Sequence, residues 1–300
     1  MSLAGLKYFL TKPGGWFFFL SSRGLLNWMD DEAYIKRVFK YSLGYELDLE
    51  HPKTYNEKLN WLKLHDRRPL YTRIVDKYEV KGYVAEKIGE QYVVPVIAGP
   101  WDSADEIDFD ALPERFVLKC THDSGGVVIC RDKAAFDREA AKAKLARALG
   151  RNFYWSNREW PYKDVKPRVF AERYLEDESG GLRDYKVMCF NGVPRLIQVH
   201  NGRFSHHTQD YYDTDWNRLP FEQGIPMSAQ PDDRPDFLDE LLSLSALLSA
   251  SFPHVRVDFF HADGQLYVGE LTLYDSSGFE RFEPPSYDRM LGDLIDLGKV

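Results

Sequence analysis

Cysteine is scarce in this chain: three in 300 residues, at Cys120, Cys130 and Cys189. An odd number without C-x-x-C spacing fits neither a disulfide framework nor a cysteine-held zinc site. The three are expected as buried thiols of a reducing, cytoplasmic compartment. Positive charge is also in short supply. Thirty-nine Lys and Arg against 47 Asp and Glu leave a formal net charge of −8, which argues against a nucleic-acid partner, since such surfaces favour a basic face. A local basic patch for an anionic ligand stays open. Long apolar runs are missing as well. The most apolar stretch, "WFFFLSSRGLLNWM" at 16–29, is too short for a membrane span and is broken by Ser21, Ser22, Arg23 and Gly24. No small-residue cleavage site follows it, so no secretory signal is expected. It reads as an element packed on the body; the sharper alternative is a patch for peripheral association with a membrane or a partner. Repeats, low-complexity tracts and disorder-prone composition are absent too.

What is present suffices for packed cores: 44% hydrophobic and 15% aromatic residues. The length exceeds the usual single-core size, so two or three subdomains are expected. "DDEAYIKRVFKYSLG" (30–44) opens on N-cap aspartates and closes on Gly44. "TYNEKLNWLKLH" (54–65) carries Thr54 and Glu57 at capping-box spacing. "DKYEVKGYVAEKIG" (76–89) continues as a helix that Gly89 ends. The texture then changes. "YVVPVIAG", "RFVLKC" and "GGVVIC" are short β-rich runs, followed by a helix in "KAAFDREAAKAKLARALG". A second β-rich block runs from "RVFAERYL" through "RDYKVMCFNG", "VPRLIQVHNG" and "FSHHTQDYYDTD". A helix in "RPDFLDELLSLSALLSASF", a hairpin and a helix in "SYDRMLGDLIDLG" complete the chain. The reading is α+β, a helical N-terminal part followed by two α+β layers.

The hairpin, "VRVDFFHADGQLYVGELTLYDSSGF" (255–279), concentrates charge. A two-residue Asp263-Gly264 loop would oppose Asp258 to Gly269 and send Glu270 to the other face. A three-residue loop, Ala262-Asp263-Gly264, pairs His261 with Gln265 and puts Arg256 opposite Glu270. Asp258 then lies on the diagonal, roughly 7–8 Å from Glu270. The three-residue register is preferred, because Val255, Val257 and Phe259 then share the other face with Leu271 and Leu273. Two carboxylates this close repel unless a cation lies between them. Magnesium, with oxygen ligands from one or two carboxylates plus phosphates, suits such a pair; a structural Arg–Glu–Asp ion cluster is the alternative.

Two further constellations lie upstream. In "FVLKCTHDSGGVVIC", Lys119 precedes a loop with Gly125-Gly126, whose backbone N–H groups can close on a phosphate. It is not a P-loop, since no G-K-[ST] follows and the loop leads to a strand; a bare hairpin turn is the alternative. In "FAERYLEDESGGLRDYKVMCFNG", Glu172 ends a strand, while Asp184 and Lys186 share a face of the next.

Taken together, the three resemble an ATP-grasp enzyme, and the whole chain resembles the TupA-like ATP-grasp family. The resemblance runs from "HPKTYNEKLNWLKLHDRRPLYTRIVDKYEVKGYV" through "VLKCTHDSGG" and "DYKVMCFNG" to "GELTLYDSSGFERFEP". It implies an ATP-grasp fold with ATP between two α+β subdomains: a mainly helical region at 1–76, a first subdomain at 77–171 and a second at 172–300. Lys77 and Lys119 would contact ATP. The 121–126 loop, with His122, Ser124, Gly125 and Gly126, would close over the phosphates. Glu172 matches the hinge acid, with the backbone of Arg173, Tyr174 and Leu175 against adenine and Glu178 as a ribose ligand. Lys186 would reach a phosphate, Arg256 would stand beside the transferred phosphoryl group, and Asp258 and Glu270 match the magnesium ligands. One departure concerns the third metal position. Many such enzymes carry E-x-N, whereas this chain has Glu270-Leu271-Thr272, and a hydroxyl is the poorer ligand; Thr272 is still expected to face the site.

The implied activity is carboxylate–amine ligation through an acyl-phosphate, using ATP and Mg2+. The expected partners are a sugar-acid or polysaccharide carboxylate and an amine such as an amino acid, in cell-surface polysaccharide assembly. The rivals are a glycosyltransferase using Asp213-x-Asp215, a sugar kinase, and a non-catalytic nucleotide-binding module. His206-His207 reads as a polar strand pair, since no third ligand follows at fixed spacing.

Overall fold

The computed structural model describes residues 14–177, 182–202 and 206–300. Its N-terminal part is helical for the local reasons visible in the sequence. Helix α1 (Gly15–Ser21) is followed by α2 (Asp31–Leu43), capped by the Asp30 carboxylate on the Ala33 N–H and ended by Gly44 at φ 90°. Helix α3 (Tyr55–His65) carries the complete Thr54/Glu57 capping box. Two short helices follow, α4 (Leu70–Val75) and α5 (Glu79–Ile88).

A four-stranded antiparallel sheet, in the order β1-β4-β2-β3, forms the smaller body. Its strands are β1 (Val96–Trp101), β2 (Phe116–Cys120), β3 (Val127–Cys130) and β4 (Val169–Arg173). Helix α6 (Arg138–Leu149) covers it, and Phe116, Leu118, Leu145, Val169 and Ala171 join one core. The larger sheet runs β11-β10-β5-β6-β7-β8. Its members are β5 (Asp184–Phe190), β6 (Val193–Asn201), β7 (Thr208–Asp213), β8 (Arg218–Leu219), β10 (His254–Ala262) and β11 (Gln265–Thr272). A two-stranded piece joins β9 (Glu222–Gln223) to β12 (Phe282–Glu283). Helix α7 (Tyr154–Asn157) lies between the bodies in sequence, α8 (Leu238–Ser249) packs on the large sheet, and α9 (Ser286–Asp293) meets α3.

The cores do not change where the three expected segments change. Tyr55, Leu59 and Leu62 of α3, Tyr71 and Ile74 of α4 and Val80, Tyr83 and Val84 of α5 are buried together with the large sheet's Val187, Val257 and Phe259. Helices α3, α4 and α5 therefore pack with the large sheet, while α1 and α2 give Phe17, Tyr34, Val38, Ile35 and Phe39 to two smaller clusters. The expected border at 171/172 cuts β4, whose pairing of Glu172 with Val96 and Val117 keeps that residue in the small sheet. The reason is physical: α4 and α5 are too short to bury an apolar face alone, and they take the nearest large one.

The apolar run at 16–29 packs only in part. Phe17 is buried against Tyr34 and Tyr41, with ring centroids 5.3 and 5.7 Å away, while Trp16, Leu25 and Trp28 are exposed. No helix among the described residues is long and apolar enough to cross a membrane. All three cysteines are buried free thiols; burial pushes Cys120 and Cys189 up to about 12, which keeps them unreactive.

Candidate active site

The charged hairpin differs from its expected register in an instructive way. Asp263 (φ 54°) and Gly264 (φ 72°) form a two-residue turn, so Ala262 pairs with Gln265 and His261 with Leu266. That register alone would turn Glu270 away. A β-bulge restores it: Phe259 pairs with Val268 but Asp258 pairs with Glu270, leaving Gly269 as the extra residue. Arg256 is thus opposite Thr272 rather than Glu270, and Asp258 faces Glu270 directly rather than on the diagonal. The bulge needs glycine, because a Cβ there would come within 2.7 Å of the Phe260 ring. Glycine inside an otherwise strand-like run is the signal that pointed to it.

Arg256, Asp258, Glu270 and Thr272 consequently share one face, and three cations converge on the two carboxylates. Arg256 donates from Nε and Nη2 to Asp258 at 2.7 Å each and approaches Glu270 at 3.7 Å. Lys186, paired with Asp258 across β5 and β10, bonds the same carboxylate. Lys77 reaches Glu270 at 2.9 Å. The Lys77 ammonium beside it, more than burial opposes, holds Glu270 well below the usual carboxylate range. Burial works against the Lys77 charge, yet Glu270, Asp123 and Asp258 together keep its pKa raised. The Thr272 hydroxyl lies 3.4 Å from Glu270 and 3.3 Å from the Arg256 guanidinium.

Lys77 occupies the junction of the two bodies. Its N–H donates to the Thr121 carbonyl at the end of β2, while its ammonium meets the hairpin of the other body. Between the bodies lies a cleft of about 1310 Å3, lined by Lys77, Lys119, Ser124, Gly125, Glu172, Tyr174, Leu175, Lys186, Asp258 and Glu270 among others. Glu172 is buried between Lys81 at 2.6 Å and Lys119 at 2.5 Å. Burial raises its pKa, but the two lysines outweigh that and leave it lowered. Lys81 escaped the sequence reading because it follows no motif, being one of two lysines on α5.

The 121–126 loop is brought only partly to the cleft. Ser124 and Gly125 line it, and a Cβ on Gly125 would meet nothing within 4 Å. Asp123 turns inward, accepting the Gly126 N–H at 2.8 Å, so that N–H is already taken. A side chain on Gly126 would strike Cys120 and Asp123. His122 is buried with Nε2 3.1 Å from the carbonyl oxygens of Ala148 and Arg151, and it does not line the cleft. Glu178 lies outside the described residues.

Asp275, which sequence reasoning passed over, is buried and accepts from Arg256 Nη1. It belongs to a turn in which Ser276 (φ 47°), Ser277 (φ 54°) and Gly278 (φ 64°) are all left-handed. Two adjacent non-glycine residues in that region are uncommon, and such strain marks functional sites. The run "YDSSG" directly after a charged strand was the available signal.

The remaining motifs have local explanations. Asp213 accepts from the N–H groups of Asp215 and Asn217 at 3.0 and 2.8 Å and from the Asn217 amide at 2.9 Å, a closed turn between β7 and β8. Its carboxylate is thereby engaged. His207 bonds His200 at 3.0 Å, and His206 is exposed.

Comparison with known proteins places this geometry. The model of the TupA-like ATP-grasp family matches residues 57–296. A D-cycloserine synthetase structure is similar at 17% identity, covering 76% of this chain and 72% of that one, with a TM-score of 0.43. A D-alanine–D-alanine ligase from Bacillus anthracis, complexed with ATP, gives 15%, 74%, 63% and 0.41 in the same order. A biotin carboxylase domain of Hydrogenobacter thermophilus 2-oxoglutarate carboxylase, with MgADP and bicarbonate, gives 17%, 67%, 40% and 0.40. This chain thus spans less than two thirds of the length of the last two. No curated protein sequence matches. With a family model spanning most of its length and both sheet bodies, the chain belongs to the TupA-like ATP-grasp family and has an ATP-grasp fold.

Proposed function

We propose that the protein is an ATP-dependent carboxylate–amine ligase that works through an acyl-phosphate. The observation that carries this is the direct pairing of Asp258 with Glu270 at the wall of a large cleft, ringed by Lys77, Lys186 and Arg256. Family membership supports it.

The donor set fits magnesium: two carboxylates facing each other across a hairpin, one hydroxyl beside them, and only hard oxygen ligands. Among the described residues no three His, Cys, Asp or Glu side chains gather into a metal site. The other positions would fall to nucleotide phosphate and water, as magnesium commonly accepts. Asp258 and Glu270 would hold the ion, Thr272 would contribute weakly, and the ion would neutralise phosphate charge. ATP would lie in the cleft with its phosphates toward Lys77, Lys119, Lys186 and the Ser124-Gly125 backbone, and its base beside Glu172, Tyr174 and Leu175.

A carboxylate oxygen of the acid attacks the γ-phosphorus, the bond to the β-phosphate oxygen breaks, and ADP leaves. Arg256 and Lys186 offset the charge that accumulates on the transferred group. An amine nitrogen then bonds the acyl carbon, the carbon–oxygen bond to phosphate breaks, and the nitrogen's proton passes to solvent. Exclusion of water from the cleft protects the acyl-phosphate in between. We assign the acid to the sugar acids, with a uronic-acid carboxylate joined to an amino acid in cell-surface polysaccharide assembly in the cytoplasm. The family resemblance supports that assignment, and the three reduced thiols support the compartment.

Incubation with ATP, Mg2+, hydroxylamine and a panel of uronic acids tests the reading. ADP together with a hydroxamate is expected. A phosphorylated sugar with no trapped acyl group would replace the ligase by a kinase. Sugar transfer from a nucleotide-sugar without ATP would replace it by a glycosyltransferase.

A further inference from the structure

A second hollow, of about 160 Å3, adjoins the cleft, His200 lining both. The Arg256 guanidinium ties their walls together. It bonds Asp258, which lines the cleft, and Asp275, which lines the hollow. The interior of the hollow is built of amides, and one phenolic hydrogen orients them. Tyr211 accepts from Gln209 Nε2 at 2.6 Å and from Gln198 Nε2 at 3.2 Å, and it donates to Gln223 Oε1 at 2.5 Å. Gln223, only 4% exposed, therefore has its carbonyl engaged, while its Nε2 has no hydrogen-bond partner. A buried donor without a partner is costly, so this atom marks where an acceptor atom of a ligand belongs.

Charge narrows the ligand further. Within the lining of the hollow, Arg256 is paired with Asp275. At the mouth, the Glu280 carboxyl lies over Gly224, where a Cβ would come within 2.7 Å of its Cδ, and it enters no ion pair among the described residues. The uncommitted charge of the hollow is thus negative. An anionic end group is repelled here and an ammonium offers Gln223 Nε2 no lone pair, whereas a hydroxyl both accepts from that amide and donates to Glu280. At about 30 Å3 per liquid water, the space holds a group of about five non-hydrogen atoms.

We propose that this hollow is the amine subsite, receiving a small primary amine whose far end carries a hydroxyl rather than a carboxylate or a second ammonium. The proposal rests on the ligase reading. The amine approaches the acyl carbon past Arg256, while the anionic acid enters through the main cleft with its three cations.

The test is calorimetric titration of 1,3-diaminopropane, ethanolamine and β-alanine into the full chain with Mg2+ and a non-hydrolysable ATP analogue. Ethanolamine is expected to bind, with 1,3-diaminopropane weaker and β-alanine at least tenfold weaker. Gln223→Leu should weaken ethanolamine about tenfold and remove its lead over diaminopropane; Glu280→Gln should bring β-alanine to within threefold of ethanolamine. Because Gln223 is buried, its melting temperature is read alongside, and the exposed Glu280→Gln carries the test if the other does not fold. Equal binding of β-alanine, no amine binding, or indifference to Glu280→Gln would overturn the subsite. Hydroxylamine trapping judges the ligase reading separately. Hydroxamate without selective amine binding rejects the subsite alone, and selective amine binding without hydroxamate rejects the ligase alone.

Discussion

Lys63, buried on α3, donates to the main-chain carbonyl of Ser277, in the left-handed turn that carries Asp275. Asn60 adds a bond to the Gly278 carbonyl at 2.8 Å, and Asn157 reaches the Ser277 hydroxyl at 3.0 Å. The N-terminal helix thus holds, from beneath, the turn whose aspartate orients Arg256. Lys63→Met would leave the Ser277 and Asn157 carbonyls and the Asn60 side-chain carbonyl without their ammonium donor. A loss of about 1–3 kcal/mol is expected, as for buried acceptors left unsatisfied, read from urea unfolding midpoints; a change below 1 kcal/mol would contradict the clamp.

On the ligase reading, Asp275 would act on the reaction through Arg256, which it bonds. In Asp275→Asn the acceptor remains but its charge is gone, so kcat should fall about tenfold or more. The KM for ATP should stay within twofold, because Asp275 does not line the nucleotide cleft. Equal changes in kcat and in ATP affinity would show that the residue serves nucleotide binding instead.

Thr272 invites a gain of function. Thr272→Asn places an amide carbonyl beside Glu270 and should lower the Mg2+ concentration that gives half-maximal ADP release. Glu270→Gln should raise it more than tenfold. Magnesium titrations of the two variants in opposite directions would support the ligand assignment; movement in the same direction would remove it.

The bulge glycine is open to a paired test. Gly269→Ala drives a methyl into the Phe260 ring, and about 1–3 kcal/mol of stability should be lost. Phe260→Leu in the same chain should recover part of that loss, together with activity. No recovery would mean that the ring is not what the methyl meets.

His254 supplies a pH signature. Its ring is buried between the Tyr55 hydroxyl at 2.9 Å and the Cys189 carbonyl at 3.0 Å, and burial pulls its pKa down to about 4. Between that value and the unfolded value near 6.5 the unfolded chain binds the extra proton, so stability falls as pH drops through this window. The loss amounts to about 3 kcal/mol by pH 4. The carboxylates held low by lysines, Glu172 and Glu270, act in more acidic solution. A His254→Gln difference profile, from chemical unfolding at each pH, should therefore be flat above pH 6.5 and slope between 6.5 and 4.

Local signals made most elements legible. Caps at Asp30 and Thr54, the closing Gly44 and Gly89, and alternation along β10 all act within a few residues. The shared face of Arg256, Asp258 and Glu270 was legible too, though by a wrong route: a longer loop was invoked where a tight turn and a bulge at Gly269 give the same facing. Loop length and bulge have the same parity, so alternation alone does not separate them. What stayed hidden depends on distant partners. Lys81, Asp275 and Gln223 matter through residues from other elements, and no spacing rule reaches across such separations. His122 illustrates the converse, standing beside a glycine loop in sequence while its ring belongs to the core behind.

The contacts joining the two bodies around Lys77 are Lys81 on Glu172, Arg168 on Asp76 and Glu79, Arg173 on the Tyr267 hydroxyl, the Lys77 amide on Thr121 and one ring pair, Tyr78 on Phe170. Lys81–Glu172 and Arg168–Asp76 are largely buried, so dissolved ions screen them little while they are closed. Parting the walls has to wet these pairs first, and the joint holds as a seal that added salt alone does not loosen.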